Sequence, residues 1–305
     1  MTVVVPDGLR WWREQPGGAA WLERLPRLVE ECAAAWGLHV RPPFPRATVS
    51  FVAPAVLPDG TQAVLKVNFS DAESEREADA LAAWGGAGAV RLIAHDAGRR
   101  ALLVERCLPG TQLWAVADEE QANAAAATVL RALWRAPPER HAFRTLAREA
   151  GRWAAELPGR WERHGRPVGR AVLDDALGWT QELIGSSPAG DAVVLHQDLH
   201  GGNVLRAERS MRERTAGWLA IDPKPLVGER AFDAASLLRD RRPELAGEPH
   251  PIARMRRRLD QLAPALGLER ERMRRWAVVH ALAWGMGEDR WFSDIVACAE
   301  WLHRA

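Results

Sequence analysis

The chain has 305 residues, with Lys+Arg 41 against Asp+Glu 40 and a formal net charge of +1, a balance that argues against a nucleic-acid coat or a polybasic membrane protein. Hydrophobic content of 47% and charged content of 27% suit a folded, core-forming chain, and the length predicts two domains or lobes. Only two basic residues are lysines, Lys66 and Lys224; tyrosine is absent, and asparagine occurs only at Asn68, Asn123 and Asn203. Arginine is a planar fork and lysine a compact point charge, so a lysine kept in an arginine-rich chain marks a place where shape matters.

The first 40 residues read as helix, because Leu22, Leu25, Val29, Cys32 and Trp36 recur at three- and four-residue steps until Gly37. A β region follows: Thr48 to Val56 is rich in branched residues, Pro58-Asp59-Gly60 makes a turn, and Gln62 to Asn68 alternates. That alternation puts Ala63, Leu65 and Val67 on one face and Val64, Lys66 and Asn68 on the other. Ser70 and Glu73 have capping-box spacing ahead of a helix whose face carries Glu77, Leu81 and Trp84. Val90–His95 and Arg100–Glu105 read as two more strands around the turn Asp96-Ala97-Gly98. After Pro109-Gly110 helical patterns dominate to Trp179 and again from Phe232, with a short β insert between them at Ala192–Leu195, Asn203–Arg206 and Gly217–Ile221.

The chemistry concentrates in His196-Gln197-Asp198-Leu199-His200-Gly201-Gly202-Asn203, which has the spacing H-x-D-x-x-x-x-N directly after an apolar strand. In phosphoryl transfer such a loop offers one carboxylate to the attacking hydroxyl and, five residues on, a neutral oxygen to Mg²⁺. Gly201-Gly202 would let the loop reverse between the two. A zinc site from His196, Asp198 and His200 lacks the further ligands that it would need. Asp222 ends the apolar strand Trp218-Leu219-Ala220-Ile221, where such sites place their second metal ligand. Lys66 lies among Val64, Leu65 and Val67, where an inward charge is costly unless paired, and Glu77 on the next helix is the expected partner.

The run LHQDLHGGNVLRAE…WLAIDPKPLVGERAFDAASLLR resembles aminoglycoside phosphotransferases, most closely the streptomycin 6-kinase and hydroxyurea phosphotransferase branch. The segments AVLKVNFSDAESEREADALAAWGGAGAVRLIAHD and ALLVERCLPGTQLW extend the likeness over nearly the whole chain. The resemblance implies an α+β, bilobal protein-kinase-like fold, with a β-rich nucleotide-binding lobe over 1–105 and a larger, mainly helical lobe over 106–305. It makes Asp198 the catalytic base, with His196 bracing the loop. Asn203 and Asp222 would hold Mg²⁺, Lys66 would grip the phosphates of ATP or GTP with Glu77 as its ion-pair partner, and Asp233 would hold the backbone of the catalytic loop. Glu105 and Cys107 would give backbone groups to adenine, with Val104 lining its pocket. Two departures stand out: Gln197 replaces a common Gly, and the phosphate-covering loop Ala47-Thr48-Val49-Ser50-Phe51 has no glycine, leaving backbone N–H groups or the Ser50 hydroxyl for that contact.

Glu288 and Asp289, after Gly285-Met286-Gly287, are candidate contacts for a cationic aminocyclitol acceptor. The arginines of 254–276 are interrupted by Asp260, Glu269 and Glu271 and read as a solvated helix face, and most of the fifteen tryptophans fall at core spacing. Cys32, Cys107 and Cys298 lie far apart, no apolar run nears the roughly 18 residues of a membrane span, and the N-terminus lacks a signal pattern. The expectation is therefore a cytoplasmic enzyme acting on a small hydroxyl compound, with no nucleic acid, membrane or obligate protein partner.

Overall fold

The computed structural model describes residues 3–45, 47–188, 190–208 and 217–305. The N-terminal helical reading divides in two: a 3-10 segment over Asp7–Glu14, then helix α1 over Gly18–Trp36. Pro16-Gly17 separates them, with Gly17 at φ 77°. Gly37 ends α1 at φ 63°, and the N–H of Leu38 reaches back to the Ala33 carbonyl at 2.8 Å.

Strands β1 (His39–Val40), β2 (Phe51–Val56), β3 (Gln62–Val67), β4 (Leu92–Asp96) and β5 (Ala101–Glu105) form an antiparallel sheet in the order β1-β2-β3-β5-β4. In β3 the period-two pattern holds. Ala63, Leu65 and Val67 join Phe51, Ala53, Ala101, Leu103 and the apolar stripe of α1 in one cluster. Lys66, paired across to Val52 and Leu102, faces the other way. Between β3 and β4, helix α2 covers only Glu77–Trp84. The capping box expected from Ser70 and Glu73 does not form. Asp71 Oδ1 instead accepts the N–H groups of Glu73 and Ser74, each at 2.8 Å, which makes an Asp-anchored turn and leaves the Glu73 carboxylate free for another partner.

The remaining chain is mainly helical. Helices α3 (Glu119–Leu133), α4 (Leu146–Arg163), α5 (Arg170–Gly185), α6 (Arg230–Asp233), α7 (Ala235–Leu238), α8 (Arg242–Ala246), α9 (Pro251–Leu266), α10 (Arg270–Gly285) and α11 (Ser293–His303) surround a core that includes Trp153, Phe232, Trp276 and Leu282. The expected single β insert is two separate three-stranded sheets. One has the order β10-β9-β6, from Pro109–Gln112 (β6), Val204–Ala207 (β9) and Trp218–Ala220 (β10). The other has the order β7-β11-β8, from Arg144–Thr145 (β7), Ala192–Leu195 (β8) and Leu226–Glu229 (β11). The loop 196–203 therefore leaves one small sheet for the other, and the connection through Asp222 returns.

Apolar packing crosses between the β-rich and helical parts: Leu81, Trp84, Leu102 and Val104 belong to the same cluster as the helical core. Ala220 is also bonded on both sides to 88–90, its N–H to the Gly88 carbonyl at 2.8 Å and its carbonyl to Val90 N–H at 3.0 Å. We propose 1–105 and 106–305 as the two lobes, with this packing holding them together. No helix among the described residues is long and apolar enough to cross a membrane.

Strand β11 is held by charge and by close contact. Buried Glu229 accepts from Arg272 Nε at 2.8 Å and from the Trp276 indole. Its neighbour Gly228 lies so near α4 that a Cβ there would be 2.4 Å from Leu146 Cβ. Gly228→Ala is expected to cost about 1–3 kcal/mol through overpacking. A shifted denaturant midpoint checks this, and an unchanged midpoint would show that the β11–α4 contact has slack.

Candidate active site

Lys66 is the centre of the site. It is 7% exposed, and its Nζ lies 2.7 and 2.8 Å from the Glu77 carboxylate oxygens and 2.8 Å from Asp222 Oδ1. Burial alone would lower the Lys66 pKa, but the Asp222 and Glu77 charges outweigh it and raise the value. Asn68 donates to Glu77 Oε2 at 3.0 Å and fixes its rotamer. Burial likewise pushes the half-open Asp222 carboxyl up, yet the Lys66 charge and hydrogen bond, with His196 and Lys224, hold it below its usual value.

The loop carrying Asp198 is framed by backbone contacts. Asp233 accepts His196 N–H at 3.1 Å, Gln197 N–H at 2.7 Å and the Trp134 indole N–H at 3.1 Å. Burial pushes the Asp233 carboxyl up to about 6 despite these donors. Gln197 stands at φ 67°, a left-handed conformation that glycine adopts without strain, and Ser236 Oγ donates to its carbonyl at 2.8 Å. The fully buried His196 ring donates from Nε2 to the Ile221 carbonyl at 2.9 Å. Burial depresses its pKa to about 4, so it is neutral near pH 7 and links the two loops. Asn203 Nδ2 donates to the Asp198 carbonyl at 3.0 Å. Gly201 and Gly202 have no positive φ, so loop reversal does not explain them; a Cβ on either would meet the Trp114 ring at 2.6 Å.

Three adjoining cavities radiate from these residues. One of about 530 Å³ is lined by Val64, Lys66, Glu77, Val104, Glu105, Cys107, Leu205 and Asp222. A second, of about 750 Å³, brings together Ser50, Lys66, Glu73, Asp198, Asn203, Asp222 and Lys224. Its glycine-free loop is braced by the 3-10 segment: Trp11 Nε1 donates to the Thr48 carbonyl at 2.6 Å and Trp12 Nε1 to that of Val49 at 2.8 Å. The third, of about 540 Å³, opens beside Asp198 and is lined by Trp114, His200, Ser236, Arg239, Arg241 and Trp284.

Arg239, 4% exposed, contacts His280 Nδ1 at 2.6 Å, donates to Ser236 Oγ at 3.2 Å and lies 4.8 Å from the Trp284 ring centroid. Among the described residues no carboxylate pairs with it, and burial lowers its pKa to about 10. Glu288 and Asp289 are not brought to this cavity; both are exposed on the turn after α10, where Arg163 binds the Glu288 carbonyl at 2.9 Å. Asn68, Trp11, Trp12 and Arg239 were missed as site residues. Only Asn68, one of the chain's three asparagines and next in the alternation that carries Lys66, has a sequence signal.

No three His, Cys, Asp or Glu side chains among the described residues converge to cage a metal. One carboxylate oxygen of Asp222 and the Asn203 amide oxygen are a donor set that fits a hard cation held mainly by phosphate oxygens and water, as Mg²⁺ is.

Residues 35–294 match a family described as "Aminoglycoside/hydroxyurea antibiotic resistance kinase". The streptomycin 6-kinase of Streptomyces glaucescens is 36% identical, covering 85% of this chain and 81% of its own length. The hydroxyurea phosphotransferase of Kitasatospora aureofaciens is 37% identical, covering 90% of this chain and 77% of its own. An aminoglycoside phosphotransferase solved with ADP and hygromycin B superposes with a TM-score of 0.61 at 15% identity, covering 90% of this chain and 96% of that one. Choline kinase from Streptococcus pneumoniae gives 0.60 at 13% identity, covering 92% and 100%. The fold is thus that of the protein-kinase-like small-molecule kinases, and the chain belongs to the aminoglycoside/hydroxyurea antibiotic resistance kinase family.

Proposed function

We propose that the protein transfers the γ-phosphoryl group of ATP to a hydroxyl of a streptomycin-like aminoglycoside. The observation that carries this reading is the convergence of Lys66, Glu77, Asp222, Asn203 and Asp198 on adjoining cavities. Val104, Glu105 and Cys107 line the end suited to the base, Ser50 the roof over the phosphates, and Asp198 the opening to the acceptor cavity. Lys66 orients the phosphates and is held in place by Glu77. Asp198 takes the proton of the acceptor hydroxyl, while Asp233 and the neutral His196 keep its loop in position and act only through it. Asn203 and Asp222 would hold Mg²⁺, which when bound neutralises charge on the phosphate oxygens.

A second reading is a small acceptor with a carbonyl beside its hydroxyl, as in hydroxyurea. Arg239 favours it, since a buried guanidinium with no carboxylate partner among the described residues suits an oxygen acceptor better than a cationic ring. The discriminating experiment is ATP consumption across streptomycin, other aminoglycosides, hydroxyurea and choline. Turnover with streptomycin is expected, turnover with hydroxyurea alone would favour the second reading, and turnover with none would sink both.

With an acceptor in hand, Asp198→Asn is expected to lower kcat about 10²–10⁴-fold while ADP affinity stays near wild type. Activity near wild type would remove Asp198 as the base. Lys66→Arg keeps the charge but not the shape, so a raised KM for ATP and a lower kcat are expected; unchanged constants would show shape to be irrelevant there. Asp233→Asn turns an amide N–H₂ toward a backbone or indole N–H donor, with an expected loss of about 1–3 kcal/mol and a parallel fall in kcat. Calorimetric melting alongside turnover checks the pairing of the two effects.

A further inference from the structure

Lys224 has no part in the mechanism above, yet it is placed more tightly than a surface lysine. Its backbone N–H donates to the His196 carbonyl at 3.0 Å, and Pro223 and Pro225 flank it and restrict its backbone. Nζ lies 3.6 Å from Asp198 Oδ2, 3.2 Å from Glu73 Oε2 and 4.5 Å from the Trp284 ring centroid. It lines the same cavity as Lys66, Asp198, Asn203 and Asp222.

Neither static contact explains its retention. Glu73 is about half exposed in the pair, so the ion pair contributes little stability. The contact to Asp198, at 3.6 Å, is longer than a hydrogen bond and leaves the ammonium room for another oxygen. The benefit must arise where negative charge builds up during reaction. As the acceptor oxygen bonds to the γ-phosphorus, the bond to the β–γ bridging oxygen breaks. The electron pair leaves with ADP, the hydroxyl proton passes to Asp198, and charge spreads over three equatorial oxygens. Lys66 is on the nucleotide side of this path. Lys224 is on the Asp198 side, and a point charge on a flexible stem reaches one oxygen where an arginine fork would seek two.

We propose that Lys224 is a catalytic residue that binds an equatorial oxygen of the transferring phosphoryl group, with Glu73 tethering it before the nucleotide arrives. The proposal rests on the kinase reading, and it makes Lys224 and Lys66 opposite jaws of one clamp. The test is ADP affinity by calorimetry in Mg²⁺, with and without fluoroaluminate as a mimic of the phosphoryl group in flight, together with the slow ATP hydrolysis that needs no acceptor.

Wild type is expected to bind ADP at least about tenfold tighter with fluoroaluminate. Lys224→Met should bind ADP within threefold of wild type, lose that gain, and hydrolyse ATP about 100-fold more slowly. Glu73→Gln, which removes only the tether, should keep the gain. The proposal is overturned if Lys224→Met keeps the gain, or if Glu73→Gln loses it equally, which would mark a structural ion pair. Should the methionine variant not fold, Lys224→Gln is read by the same criteria. A wild-type protein without any gain would overturn the kinase reading, and this proposal with it.

Discussion

A single buried ammonium sets the geometry of the site. Lys66 comes from a strand, Glu77 from the following helix, and Asp222 from 156 residues further along the chain. Taking the Lys66 and Glu77 charges out of water is unfavourable, and it is offset while they stay paired with each other and with the half-open Asp222. The same contact therefore fixes how strand, helix and the Asp222 loop meet, and it points a carboxylate and an ammonium at one cavity.

Around this clasp the loops are tied by backbone groups rather than by further charges. Asp233 holds the start of the loop that carries Asp198, His196 links it to the carbonyl before Asp222, and Asn203 closes it onto the Asp198 carbonyl. The third cavity shares Asp198 and His200 with this loop, and Trp114, Ser236, Arg239 and Trp284 line its other sides. Ser236 donates to the Gln197 carbonyl and Asp240 accepts Gly201 N–H, so changes in that lining also reach the loop.

Much of this was legible because it rests on local spacing. The period-two pattern of β3 put Lys66 opposite Leu65 and Val67, the helical step aligned Glu77 with Leu81 and Trp84, and the H-x-D-x-x-x-x-N spacing fixed Asp198 and Asn203. What escaped depends on distant partners or on very short elements. Strands β6 and β7 have four and two residues and no alternation, so the division of the β insert could not be read. Asp71 captured the turn that Ser70 and Glu73 seemed to cap, which freed Glu73 to meet Lys224. Gly201 and Gly202 read as the point of loop reversal, whereas they are small because Trp114, nearly 90 residues earlier, packs against them. Arg239 carried no local mark, since its burial depends on His280 and Trp284 on another helix.

The two indoles that hold the Thr48 and Val49 carbonyls have a thermodynamic consequence. A glycine-rich cover over phosphates is mobile when empty and must be ordered by each nucleotide that enters. Here the 3-10 segment already holds the loop, so under the proposed function a nucleotide would enter at a smaller conformational-entropy penalty. Under the proposed function, affinity at the phosphates is then coupled to the folding of Asp7–Glu14. On that reading, loosening this segment would reach the nucleotide both through the loop and through Trp11 and Trp12, which line the same cavity.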